Sequence, residues 1–201
     1  RQGRRQVKIE IVPVWKALSP ELAAELVAFW RDQNAIQNEA AATRRTEQAV
    51  CIARDADGAL CGVATAMIKV LPRLRQPMYY YRQFFARSLR GQHQELAFYR
   101  RAKQILQDYN AGLDKPESLG ILLEVENAKI AAAYKRAHEP GFDATFIGYS
   151  PRGLQLRVSY FEDAILQAPT PLGAPAAVPG TRRVAGTRPA PSIPRHGNGR
   201  S

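Results

Sequence analysis

The sequence predicts one mixed α/β (α+β) domain, a mostly antiparallel sheet with helices on both faces. Three observations carry this. Strand-like and helix-like periods run in the order β-α-α-β-β-β-α-β-α-β-β, which is neither regular βαβ alternation nor all-β. Two short connections, Asp55–Gly58 and Ser150–Gly153, have turn chemistry and make their flanking strands antiparallel neighbours. Hydrophobic residues make up 45% of the 201, enough to bury a core.

Taken in order, Val7–Val14 (VKIEIVPV) alternates and is β-branched, so it reads as a strand. Ser19-Pro20 starts a helix, with serine as cap and proline at the first helical position. Leu22, Leu26, Phe29 and Trp30 then share one face. Asn34–Asn38 interrupts, and a more polar helix runs to about Gln48. Ala49–Arg54 and Ala59–Val70 form a hairpin around Asp55–Gly58. After a loop bracketed by Pro72 and Pro77, Met78–Ala86 (MYYYRQFFA) is a strand by its aromatic content. Arg87–His93 is a basic loop with one glycine. Glu95–Asn110 is a helix with Phe98, Ala102, Ile105 and Tyr109 inward, stopped at Asn110 and Gly112. Gly120–Glu126 is a buried strand, Asn127–Ala137 a short helix ended by Pro140. Phe142–Tyr149 and Leu154–Phe161 close the domain as a hairpin.

The net charge of +11 first suggests nucleic acid. Counting by segment moves that charge to the ends. Residues 1–8 hold four basic groups and residues 167–201 hold five, with no acid in either; the part between them carries only +2. Residues 1–6 read as a flexible basic start, 7–166 as the domain. Residues 167–201 are rich in proline, glycine and arginine and have no aromatics, so they read as a disordered tail. Nucleic acid is expected only through these ends. No apolar run approaches the roughly 20 residues of a membrane helix, so no membrane partner is expected. Two cysteines make no disulfide framework, which points to a reducing, cytoplasmic setting. Cys51 and Cys61 read as small core residues.

Several motifs are absent. There is no G-x-G-x-x-G and no G-x-x-x-x-G-K-[ST]. Gly148–Gly153 imitates a nucleophile elbow around Ser150, but its second glycine comes one residue late and a strand follows. His93, His138 and His196 stand far apart, so no metal is expected.

One arrangement has chemical content. An aromatic strand runs into the basic loop with Gly91, and a helix then begins. A helix start offers unpaired N–H groups and a positive dipole end, which suit phosphate. Further on, Asn127, Ala131 and Tyr134 stand at i, i+4 and i+7, followed by Gly141-Phe142. At this point the sequence resembles the GNAT superfamily of acyl-CoA-dependent N-acetyltransferases, whose members read "N…A…Y…GF" here. Their phosphate loop reads [QR]-x-x-G-x-[GA]. In the corresponding Ser88-Leu89-Arg90-Gly91-Gln92-His93 the central Gly91 matches, while Ser88 and His93 depart. The resemblance covers about residues 7–163.

The resemblance implies a sheet splayed between its fourth and fifth strands, with acetyl-CoA (or another acyl-CoA) as co-substrate. The backbone of Tyr81–Phe85, including Phe84 and Phe85, would pair with the pantetheine arm. The N–H groups of Arg90, Gly91, Gln92 and His93 would hold the pyrophosphate, with Arg87 beside them and Asn127 at the thioester end. Tyr134 would protonate the departing thiolate. A tyrosine near pKa ~10 is a weaker acid than a thiol near ~8.5, so this transfer is uphill by roughly 2 kcal/mol and is drawn forward by the acyl transfer. The acceptor is a small-molecule or peptide amine. Neutralising an amine of pKa ~10.4 at pH 7 costs roughly 4–5 kcal/mol, so Glu124 or Glu126 is expected to serve as base. Asn34, Gln37, Arg44, Arg45, Tyr149 and Arg152 are candidate acceptor-site liners. Two other readings stand beside this one: a GNAT-fold ligand-binding or interaction module without catalysis, motivated by His93, and a nucleic-acid binder using the basic ends. A homodimer through the aromatic strand or the last hairpin is left open.

Overall fold

Residues 7–173 are described by the structure, a computed structural model. The expectations placed on residues 1–6 and 174–201 lie outside the described residues. The elements are β1 (Glu10–Pro13), α1 (Pro20–Asp32), α2 (Glu39–Thr46), β2 (Ala49–Arg54), β3 (Leu60–Val70) and β4 (Pro77–Phe85). A 3-10 turn (Arg87–Leu89) leads to α3 (Glu95–Ala111), β5 (Gly120–Glu124) and α4 (Ala128–Ala133). The chain then forms β6 (His138–Glu139), β7 (Ala144–Tyr149) and β8 (Gln155–Tyr160). All eight strands join one sheet in the order β1-β2-β3-β4-β5-β8-β7-β6. Every pair is antiparallel except β4 with β5. A parallel pair needs a crossover, and α3 supplies it.

The first helix is capped where the sequence places it, and the second takes a cap of its own. Ser19 Oγ accepts from the Leu22 N–H at 3.1 Å with Pro20 opening α1, and Asn38 Oδ1 accepts from the Ala41 N–H at 2.8 Å. Arg54 grips Glu25 with two hydrogen bonds of 2.7 and 2.8 Å, tying α1 to β2. Met78–Tyr81 of β4 are buried on both faces of the sheet, which is why this half of the strand reads as an apolar, aromatic run. Tyr81 meets Tyr99 of α3 at 5.4 Å between centroids, and Phe85 meets Phe98 at 5.0 Å. Phe84, on the other face, meets Phe29 of α1 at 5.8 Å. Met78, Tyr80, Leu122 and Val158 share that second face in a smaller core, flanked by Leu71 and Leu74.

Five expectations are corrected. β1 begins at Glu10 rather than Val7, and the Val7 carbonyl instead accepts from Gln94 Nε2 at 3.3 Å. The buried face of α3 is Phe98, Tyr99, Ala102, Leu106 and Asn110, rotated from the predicted stripe. Asn110 is no exposed stop: it is buried, donates to the Ser118 carbonyl at 2.9 Å and accepts from the N–H groups of Glu117 and Ser118. The helix after β5 ends at Ala133, because the chain turns there into the two-residue strand β6, too short to show a period. Residues 167–170 also belong to the ordered domain. Gln167 and Gln76 exchange two hydrogen bonds of 2.9 Å, and Arg75 and Thr170 pair by backbone and side chain. Such amide pairing needs no apolar side chains, so composition does not reveal it.

Gly120 starts β5 where it crosses β8. A Cβ there would stand 2.3 Å from the Ser159 carbonyl oxygen and 2.7 Å from the Tyr160 Cα, both backbone atoms. Gly120→Ala should therefore destabilise the domain by about 3 kcal/mol, at the upper end of overpacking costs, read as a lowered urea midpoint with an unchanged slope.

Candidate active site

The parallel contact of β4 and β5 is brief: Tyr79–Tyr81 lie opposite Ile121–Leu123. Beyond it, Arg82–Phe85 stay with β3, while Glu124 stays with Leu156 of β8. The two strands thus diverge into a V. Among the described residues no strand pairs with the β5-facing edge of residues 82–85.

The V opens toward the Arg87–Gln94 loop. Leu89 is buried and anchors it. Gly91 has φ +75°, and nothing lies within 4 Å of where its Cβ would be. His93 has φ +58°, in the left-handed region that a glycine would favour. The N–H groups of Arg90 and Gln92 are already spent on the Arg87 and Leu89 carbonyls, at 3.3 and 3.2 Å. Within the described residues no hydrogen bond engages those of Gly91 and His93. The following helix has no side-chain cap at Gln94, so its first-turn N–H groups are open. Arg90 lies over the Phe84 ring at 5.2 Å and donates to the Phe85 carbonyl at 3.2 Å. Arg87 is exposed, its N–H held by Gln33 at 3.0 Å.

On the α1–α2 face of the V stands a polar cluster. The Tyr80 hydroxyl donates to the Glu124 carboxylate at 2.9 Å. Arg152 Nη1 bridges Glu124 and Glu126 at 3.2 and 3.1 Å. The Glu124 side chain is 8% exposed and that of Glu126 52%. Burial raises the Glu124 pKa, but the Ser150 and Tyr80 hydroxyls and the charges of Arg152 and Lys69 outweigh it and hold the carboxyl below its ordinary value. Burial, then the hydrogen bond to Glu124, pushes the Tyr80 phenol up to about 12. The Tyr80 ring has cations on it: Lys69 Nζ at 4.5 Å and the Arg82 guanidinium at 5.2 Å. Tyr80, Lys69 and Arg82 are functional candidates the sequence reading missed. The available signal was a charge inside an otherwise aromatic strand, YYYRQFF.

The α3 face holds the other candidates. The Tyr134 ring packs edge-on against Phe142 at 5.1 Å, and Phe142 packs on Tyr99 of α3. Tyr134 is the C-cap of α4, its N–H making the last helical bond, to the Ile130 carbonyl at 2.9 Å. Asn127 is the N-cap: its Oδ1 accepts from Lys129 and Ile130 N–H groups at 2.9 and 3.3 Å, leaving only its amide NH2. The buried Arg157 of β8 fixes this segment. It donates to the carbonyls of Tyr134 at 3.1 Å and Arg136 at 2.9 Å, and among the described residues it has no carboxylate partner. Glu124 and Tyr134 therefore belong to opposite faces of the sheet.

Of the candidate liners, Arg152 joins the Tyr80 cluster through Glu124, and the Arg45 carbonyl accepts from the N–H of Gln48, whose side chain meets Arg82. Asn34 and Gln37 bond each other at 3.2 Å, Arg44 is exposed, and Tyr149 stacks on Phe146. A cavity of about 500 Å³ lies elsewhere, between α3 and the 140–143 turn. Its cations are engaged, Arg100 on the Gly141 carbonyl and Lys103 on Asp143 and Ser159. Among the described residues no three His, Cys, Asp or Glu side chains group as metal ligands, and no helix is long and apolar enough to cross a membrane. Cys51 and Cys61 are free and buried.

Two outcomes follow from these contacts. Arg157→Met should cost about 1–3 kcal/mol, since it strips carbonyls of their donors, and amide exchange should quicken most in residues 134–139. Because the folded Glu124 pKa is depressed, its charge stabilises the domain above about pH 4.5 and that contribution fades as pH falls through the lower folded value. Glu124→Gln should accordingly show a shallower loss of melting temperature below pH 4.5 than the wild type.

No family model matches the sequence, and no curated protein matches it. Among solved structures, a protein named as a phosphinothricin N-acetyltransferase superposes with a TM-score of 0.51 at 9% identity, over 78% of this chain and 100% of that one. The acetyltransferase of GNAT family from Streptococcus pneumoniae gives 0.47 at 13% identity, over 77% and 99%. The GNAT-family acetyltransferase from Listeria monocytogenes gives 0.46 at 13%, over 77% and 96%. Strand order, the splayed parallel pair and the first of these likenesses together give this chain the fold of the GNAT N-acetyltransferases.

Proposed function

We propose that the chain is an N-acetyltransferase that moves an acetyl group from acetyl-CoA to the amine of a small molecule or peptide. The observation that carries this is the V between β4 and β5: an open strand edge leading to the Gly91 loop, with an ionised carboxylate on one face and a tyrosine on the other. The open edge of residues 82–85, with Phe84 and Phe85, suits the amides of a pantetheine arm. The N–H groups of Gly91, His93 and the first turn of α3 suit a pyrophosphate, with Arg87, Arg90 and the Gln92 side chain around it. The free NH2 of Asn127 points to a role at the thioester end.

In the reaction the amine nitrogen bonds to the acetyl carbon and the carbon–sulfur bond breaks, its electron pair leaving on sulfur. Tyr134 donates its hydroxyl proton to that thiolate. The amine's proton departs through Glu124, or Glu126, to water. Since its pKa is depressed, Glu124 is better suited to anchor an ammonium than to keep its proton. The rate should therefore rise with pH toward the acceptor's own pKa. The two free, buried cysteines accord with a cytoplasmic setting. The spent N–H groups of Arg90 and Gln92 favour a second reading, a non-catalytic ligand-binding or interaction module of the same fold.

Calorimetry with acetyl-CoA, followed by CoA release over an amine panel, separates these. Acetyl-CoA should bind, and Tyr134→Phe should lower turnover about 100-fold with little change in acetyl-CoA affinity. Binding without release on any amine, or no acetyl-CoA binding at all, overturns the transferase and supports the module.

A further inference from the structure

We infer that the acceptor carries an anionic group beside its amine, as an amino acid does, and that Arg45 and Arg82 receive that group. This rests on the acetyl-transfer reading above. Arg82 is the first residue of β4 beyond its pairing with β5, so it stands at the mouth of the V, on the α1–α2 face. It is not a solvated surface arginine. Its Nε is buried with no hydrogen-bond partner, and its Nη2 reaches Gln48 only at 3.5 Å. Arg45 approaches from α2, half-buried. Burial first, and then the charge of Arg82, hold Arg45 down to about 10, against the opposing pull of Glu126 and Tyr80.

The carboxylates that would relieve this pair are engaged elsewhere. Glu124 and Glu126 are bridged by Arg152, and among the described residues neither Arg45 nor Arg82 forms an ion pair. Around Tyr80 stand four cations, Arg45, Lys69, Arg82 and Arg152, against two carboxylates. Arg82 meets the side chain of Gln48, whose N–H bonds the Arg45 carbonyl at 3.1 Å, and two half-buried guanidiniums so placed with no ion-pair partner oppose folding. A planar anion would satisfy both, because the guanidinium fork matches a carboxylate.

Tyr80 also fixes the span. Its hydroxyl is on Glu124 at 2.9 Å, and its ring lies under the Arg82 guanidinium at 5.2 Å. An ammonium at Glu124 and an anion at the arginines thus belong within one small zwitterion. A polyamine would meet surplus positive charge at the same place.

The test is calorimetric and uses reaction products, so it does not depend on turnover. N-acetyl-L-leucine, N-acetyl-L-phenylalanine and N-acetyl-L-glutamate are each compared with the N-acetyl amine lacking the α-carboxylate. At least one carboxylated member should bind about tenfold more tightly or better, and that preference should collapse in Arg82→Gln and in Arg45→Gln. Arg45→Gln, which lies outside the open strand edge, should keep acetyl-CoA binding, and both variants should melt at or above the wild-type temperature, since one of two repelling charges is gone. The inference is overturned if no pair discriminates, if the preference survives both substitutions, if Arg45→Gln loses acetyl-CoA binding, or if both variants melt well below wild type. Should the wild type discriminate the pairs but fail to bind acetyl-CoA, acetyl transfer falls while the anion site stands.

Discussion

Three residues of parallel pairing hold β4 to β5, and the arrangement on either side depends on the contact being that short. Backbone N–H and C=O groups must find partners. Tyr79–Tyr81 find them across the sheet, and Arg82–Phe85 keep only β3. Each diverging strand is held by its own neighbour: β4 by the long antiparallel ladder to β3, β5 by β8. Aromatic contacts then lock β4 from both faces, Phe98 and Tyr99 on one, Phe29 on the other. The strand cannot relax sideways to close the gap, so the open edge is part of the native state.

The polar groups near the gap share a pattern. The two arginines, Arg157 and Arg82, are fixed by contacts that do not neutralise them. Arg157 spends its donors on carbonyls and carries its charge into the interior to hold the segment with Tyr134. Glu124 stays ionised because hydroxyls and cations compensate its burial. Arg82 leans on an aromatic face rather than on a carboxylate. Such placements are costly for folding alone, and stability given up in this way commonly marks a binding or reacting surface.

Much of the fold was legible because its signals are strong and local. The Ser19-Pro20 start, the Asn38 cap region, the Asp55–Gly58 hairpin and the aromatic β4 follow from residue type and period. What stayed hidden is decided by distant partners. The chain leaves helix at Tyr134 where Arg157, 23 residues away, takes its carbonyl. Asn110 looks like a helix stop until the Glu117 and Ser118 N–H groups meet it. In the site, Gly91 and Tyr134 could be singled out from motif spacing. Arg82 could not, since a charge within a strand shows its meaning only when the facing side chains are known.

The pairing of Gln76 with Gln167, and of Arg75 with Thr170, has a mechanical side. Gln76 directly precedes Pro77, the first residue of β4. The chain leaving the sheet after β8 is therefore moored to the root of the strand whose separation from β5 defines the gap. Tension on the C-terminal end is delivered through two amide clasps to that root, before it reaches any other part of the sheet.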